Sequence, residues 1–125
     1  MIVNDKIAKL MSEKDRKAFK ILLPAERVAK LEKQSERELQ KLCESELNRR
    51  NIVYLHLSFR AREKIGWPDL VFAIKGRPYG IELKTTKGIL SLEQINLLTR
   101  MTDNGWITHV CRSFDEFLIA IGGNC

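Results

Sequence analysis

The chain has 125 residues, 44% of them hydrophobic and 30% charged, with a net charge of +6. That length and composition fit one globular domain with a sizeable core and exclude wholesale disorder. No apolar run approaches the roughly 18 residues that span a bilayer, so no membrane association is expected. The first residues, MIVNDKIAKLMSEKDRK, lack the continuous apolar stretch of a secretory signal. Cys43, Cys111 and Cys125 are odd in number and lack CxxC spacing, and they read as reduced thiols of a cytosolic protein. All of the positive excess lies in residues 1–66, and a basic surface favours a polyanion such as nucleic acid.

Residues 1–33 read as helical and polar. Ser12 with Asp15 suits one helix start and Pro24 the first turn of another. The apolar residues here, Ile7, Leu10, Phe19, Leu22, Leu23, Val28 and Leu31, carry no chemical motif. In SERELQKLCESELNRRN, Ser35 and Glu38 match a capping box, and Leu39, Leu42, Cys43 and Leu47 form an apolar stripe at helical spacing. Asn48–Asn51 end that helix. IVYLHLSF, residues 52–59, alternates as a strand, with Val53, Leu55, Leu57 and Phe59 on one face. RAREK, 60–64, reads as a basic loop.

Two apolar runs, DLVFAI and YGIEL, then flank a turn-rich stretch and predict a hairpin around Lys75–Tyr79, with Gly76, Pro78 and Gly80 supplying the turn. SLEQINLLTRMTDNG opens on a second capping box, Ser91 and Gln94. It predicts a helix with Leu92, Ile95 and Leu98 inward, closing at Gly105. WITHVCR reads as a strand, and SFDEFLIAI as a final helix capped by Ser113 and Glu116. The order α-β-β-β-α-β-α predicts an α/β fold with one mixed sheet flanked by helices.

Charged residues interrupt the hairpin. Side chains alternate along a strand, so Glu82 and Lys84 share a face while Ile81 and Leu83 point to a core. Folding the hairpin brings Asp69 beside them. Two adjacent carboxylates raise each other's pKa unless a cation relieves them. Asp and Glu oxygens with waters are the donors Mg²⁺ accepts, and one or two protein carboxylates suffice. A metal and a lysine together suit phosphodiester hydrolysis, in which Lys84 orients the water or stabilises charge on the phosphorane. A plain Asp69–Lys84 salt bridge is the alternative reading. Of the helical acids, Glu36 lies within about 45° of the centre of the apolar stripe. Glu38 lies on its flank, with the cap to serve.

GWPD followed by ELK resembles the PD-(D/E)xK nuclease signature, here Pro68–Asp69 and Glu82–Leu83–Lys84. Glu36, Gly66–Asp69, Glu82–Lys84, Gly88 and Ser91–Gln94, in that order, resemble the VRR-NUC domain, the virus-type replication and repair nuclease module, over about residues 35–120. The resemblance implies a restriction-endonuclease-like αβββαβ core at 35–125, with 1–34 as a helical extension. It implies Mg²⁺ or Mn²⁺ on Asp69, Glu82 and the Leu83 carbonyl, with Glu36 completing the site directly or through water. Lys84 would be the catalytic lysine, and Gln94 would sit beside the acidic site, with the helix cap as its alternative role. It further implies DNA as partner, branched or flapped, a homodimer resolving four-way junctions, no small-molecule cofactor, and work in the cytoplasm, a bacterial host's if the source is viral. Arg49, Arg50, Arg60, Arg62, Lys64 and Lys87 flank the site and are the candidate phosphate contacts. His56, His109, Trp67 and Trp106 read as structural. An inactive DNA-binding module of the same fold, or an interaction protein with a salt-bridge network, are the rival functions.

Overall fold

The computed structural model describes residues 9, 10, 12, 14, 24–85 and 87–122, without the side chains of 24–34. The Ser12–Asp15 cap, most of the N-terminal apolar positions and Cys125 therefore lie outside the described residues. Leu10 is described and exposed. The chain divides into two compact units, Met1–Ser35 and Glu36–Cys125.

Helix α1 runs from Pro24 to Arg49 without a break. The sequence signature had placed a helix start at Ser35, which instead lies mid-helix. Nothing after Pro24 stops the winding: the segment contains no glycine or further proline, and it is rich in Ala, Glu, Lys, Leu and Arg. Asn51, at φ 62°, ends it in the left-handed conformation that asparagine tolerates.

Strand β1 is only Tyr54–His56, and the apolar face of this run turns outward at Val53 and Leu55. Val53 and Leu55 are 88% and 64% exposed, whereas Ile52 and Tyr54 pack on the core. The pairing explains this. Tyr54 sits opposite Phe72, and opposed residues share a face of the sheet. RAREK is not a loop. Ser58 Oγ accepts from the Ala61 N–H, and the chain winds into a π-helical turn, Ala61–Ile65, closed by Gly66 at φ 94°.

Strands β2 (Leu70–Ile74) and β3 (Arg77–Leu83) form a hairpin whose turn is only Lys75–Gly76. Both turn residues have positive φ, 51° and 80°, matching the twist of the strands they join. Pro78 and Gly80 thus lie inside β3 rather than in the turn. Pro78 precedes the β4 ladder, which starts at Tyr79, and a missing N–H is tolerated there. Gly80 leaves room for the tip of Met101. A Cβ on it would lie 2.7 Å from Met101 Cε.

Helix α2 (Leu92–Asp103) crosses over to β4 (Ile107–Cys111), which pairs parallel to β3, and α3 (Phe114–Ala120) follows. The sheet order is β1-β2-β3-β4, antiparallel except for its last pair. The mixed sheet flanked by helices is the architecture the element order predicted. Leu70, Phe72, Tyr79, Ile81 and Leu83 meet Leu39, Cys43 and Leu47 of α1 and Phe117 of α3 in one core. The opposite face of β3 carries Gly80 and Glu82, towards Met101 and Gln94 of α2. The buried stripe of α2 is Gln94, Leu98 and Met101, whereas Leu92 and Ile95 are exposed. A hydrophobicity pattern passes over a buried glutamine, so of the three residues expected inward only Leu98 is buried.

Candidate active site

The residues GWPD fix where Asp69 stands. Gly66 abuts the start of α2, and a Cβ there would run into the Glu93 carbonyl and come within 2.8 Å of the Gln94 nitrogen. The close approach and the positive φ both require glycine. Trp67 packs edge-on against Trp106, with ring centroids 6.3 Å apart, and Pro68 is buried. The Asp69 carbonyl accepts from the Leu57 N–H at 3.0 Å, which extends the β1–β2 pairing past β2. Asp69 is therefore held by its own backbone carbonyl before its carboxylate does anything.

The carboxylate is held as well. Oδ2 accepts the Leu83 N–H at 2.7 Å, and Oδ1 accepts from Arg62 Nη1 at 3.0 Å. In an extended strand the N–H and C=O of one residue point to the same side, so the Leu83 carbonyl turns towards Asp69 too. Glu82 is buried on the α2 side of β3. Its Oε1 accepts from Gln94 Nε2 at 3.1 Å and lies 3.7 Å from Lys84 Nζ. Its Oε2 is buried and has no hydrogen-bond partner. Burial, followed by the Asp69 charge, pushes the Glu82 carboxyl up to about 8, and Lys84 and Arg62 only partly oppose this. Lys84 is confined in turn. Its backbone N–H bonds the Cys111 carbonyl, and a Cβ on Gly88 would come within 3.1 Å of its Cδ.

Two acids and two bases, Asp69–Arg62 and Glu82–Lys84, thus meet at one end of the β2–β3 hairpin. The pairing is not the plain Asp69–Lys84 salt bridge of the alternative reading. The donor set fits a hard divalent cation. Glu82 offers a buried oxygen that no donor reaches, set against a second carboxylate that raises its pKa by its charge and by hydrogen-bonding the protonated form. That is the situation a cation with oxygen ligands relieves. Among the described residues no group of three or more His, Cys, Asp or Glu is placed to hold a metal.

Glu36 accordingly does not join Asp69 and Glu82 in a three-acid cluster. It is half-buried on the stripe of α1, but α1 covers the Ile81–Leu83 face, while Glu82 points to the other side of the sheet. Gln94 fills both of the roles weighed for it. It completes the capping box with Ser91 and also bonds Glu82. Of the basic candidates, Arg49 and Arg50 both pair with Glu46, and Arg62 is turned inward onto Asp69. Arg60, Lys64 and Lys87 are exposed. His56 and His109 are exposed, outside this cluster.

Arg112 was not anticipated. Its Nη1 donates to the Thr85 and Gly88 carbonyls, both at 2.7 Å, and so ties the segment after Lys84 to the end of β4. No local pattern marks it, because its partners are backbone atoms more than twenty residues away.

Among solved structures the chain is similar to a VRR_NUC domain, with a TM-score of 0.61 at 22% identity, over 73% of this chain and 98% of that one. No family model matches the chain, and no curated protein does. The fold is that of a VRR_NUC domain.

Proposed function

We propose that this chain with the VRR_NUC fold is a metal-dependent deoxyribonuclease that hydrolyses phosphodiester bonds. The observation that carries the reading is Glu82: a buried carboxylate with an unpaired oxygen, set beside Asp69, with a lysine two residues on. We take residues 35–125 as the nuclease module and 1–34 as a helical extension.

Asp69, Glu82 and the Leu83 carbonyl would hold Mg²⁺ or Mn²⁺. The bound cation would polarise the scissile phosphate and lower the pKa of the attacking water. Everything else falls to the chain's own side chains. Gln94 occupies Glu82 Oε1, which leaves Oε2 as the open donor. Lys84 keeps its ammonium near Glu82 and is placed to stabilise charge developing on the phosphate or to orient the water. Arg60, Lys64 and Lys87 are exposed and supply salt-dependent phosphate contacts. One site cuts one strand, so a branched substrate cut on two strands calls for a homodimer. No helix among the described residues is long and apolar enough to cross a membrane, and we place the activity in the cytoplasm.

The test is cleavage of labelled four-way junction, 5′ flap and linear duplex with Mg²⁺, with Mn²⁺ and with chelator. Metal-dependent products that vanish in Asp69→Asn and Lys84→Ala are expected, with branched DNA preferred. Products that survive both substitutions refute the reading. A gel shift of the junction without products in any metal marks an inactive DNA-binding module instead.

A further inference from the structure

We propose that Arg62 is a resident counter-ion of the site, one that a divalent cation must compete with at Asp69. The inference rests on the nuclease reading and adds a residue that sets metal affinity. Arg62 lies on the π-helical turn, seven residues ahead of Asp69. Its guanidinium spans two partners. Nη1 donates to Asp69 Oδ1 at 3.0 Å, and Nε donates to the Leu57 carbonyl at 3.0 Å. The second bond anchors the fork, so the first is not a loose surface contact. The side chains of Arg62 and Asp69 are 23% and 10% exposed, so little water lies between them to screen the pair.

Each carboxylate of the site has a resident base beside it, Arg62 at Asp69 and Lys84 at Glu82. Lys84 stands near Oε1 of Glu82, which leaves Oε2 open, whereas Arg62 and Leu83 between them engage both oxygens of Asp69. The two carboxylates are thus unequal. Glu82 presents a free oxygen, and Asp69 presents one already bound to a cation. A divalent ion reaching Asp69 meets a fixed positive charge on the same carboxylate. Either the ion accepts that repulsion or Arg62 lets go. Both cases weaken binding relative to a site with a neutral side chain at residue 62. Sequence alone suggested a phosphate contact here, because it shows a basic residue but not the direction in which the π turn aims it.

Isothermal titration of the full chain with Mn²⁺ tests this. Arg62→Met removes the charge and keeps the stem, while Arg62→Gln also keeps a donor for Asp69. Both are expected to bind Mn²⁺ at least tenfold more tightly than the wild type, and Arg62→Lys to stay within about threefold of it. The Gln variant guards against a folding defect in the Met variant, with circular dichroism as the check. Unchanged or weaker binding in the neutral variants overturns the Arg62 proposal while leaving the nuclease reading standing, since it would make Arg62 an orienter of Asp69. No Mn²⁺ binding by any of the proteins overturns both.

Discussion

Glu82→Gln isolates the site's electrostatics from its chemistry. Glu82 binds its proton more tightly in the folded chain than in the unfolded one, with its pKa raised from 4.5 to about 8. Between those values the folded state holds more protons than the unfolded state. Stability therefore falls as pH rises from about 4.5 to about 8 and levels off above. At about 1.4 kcal/mol per pH unit, the metal-free protein loses roughly 3 kcal/mol by pH 7 compared with pH 4. Glutamine carries no proton to lose. Its carboxamide oxygen can still accept from Gln94 Nε2, and its NH₂ gives Asp69 a donor. Thermal melts in chelator should thus show the variant more stable at pH 7.5, by on the order of 10 °C for a chain of this size. Near pH 4.5 the two proteins should melt together. Parallel melting curves across pH 5 to 8 would refute the argument, because they would mean that Glu82 is ionised without penalty. Cleavage should be lost in the variant at every pH.

Two further outcomes follow from the packing around the site. Gly66→Ala forces a Cβ into the start of α2 at a φ of 94°, and urea melts should show a loss of roughly 3 kcal/mol. A loss below about 1 kcal/mol would mean that the GWPD turn is not fixed by that contact. Arg112→Ala removes the donor shared by the Thr85 and Gly88 carbonyls. Cleavage rate should fall about tenfold with junction affinity nearly unchanged, since the change loosens the segment after Lys84 and not the phosphate contacts. Single-turnover kinetics beside gel-shift titration separates the two.

The elements that were legible are those whose signals are local. The Ser91–Gln94 box, the Gly105 stop and the alternation through Ile81 and Leu83 depend on neighbours within a turn or a strand, and each appears where expected. Misreadings arose where a distant partner decided the matter. The outward turn of Leu55 is dictated by pairing to β2, and the burial of Gln94 by Glu82. Ser35 and Glu38 carry a capping signature, yet the helix-favouring residues before them carry the winding through. At the site, Asp69, Glu82 and Lys84 could be brought together from strand geometry. The crossed ion pairing could not, because it depends on Arg62, whose side chain is aimed by a π turn with no period of its own in the sequence.

Gln94 gives position 94 an unusual selectivity. A capping box accepts glutamate or glutamine equally, since only the side-chain oxygen reaches back to the Ser91 N–H. Here the other end of the same amide donates to Glu82. Its two ends face partners of opposite polarity, so the amide has one workable orientation and a flip would lose both bonds. Glutamate would satisfy the helix and set a third carboxylate against Glu82. The first turn of α2 and the placing of Glu82 thus share one side chain, and Glu82 gains its Gln94 partner only where that turn is wound.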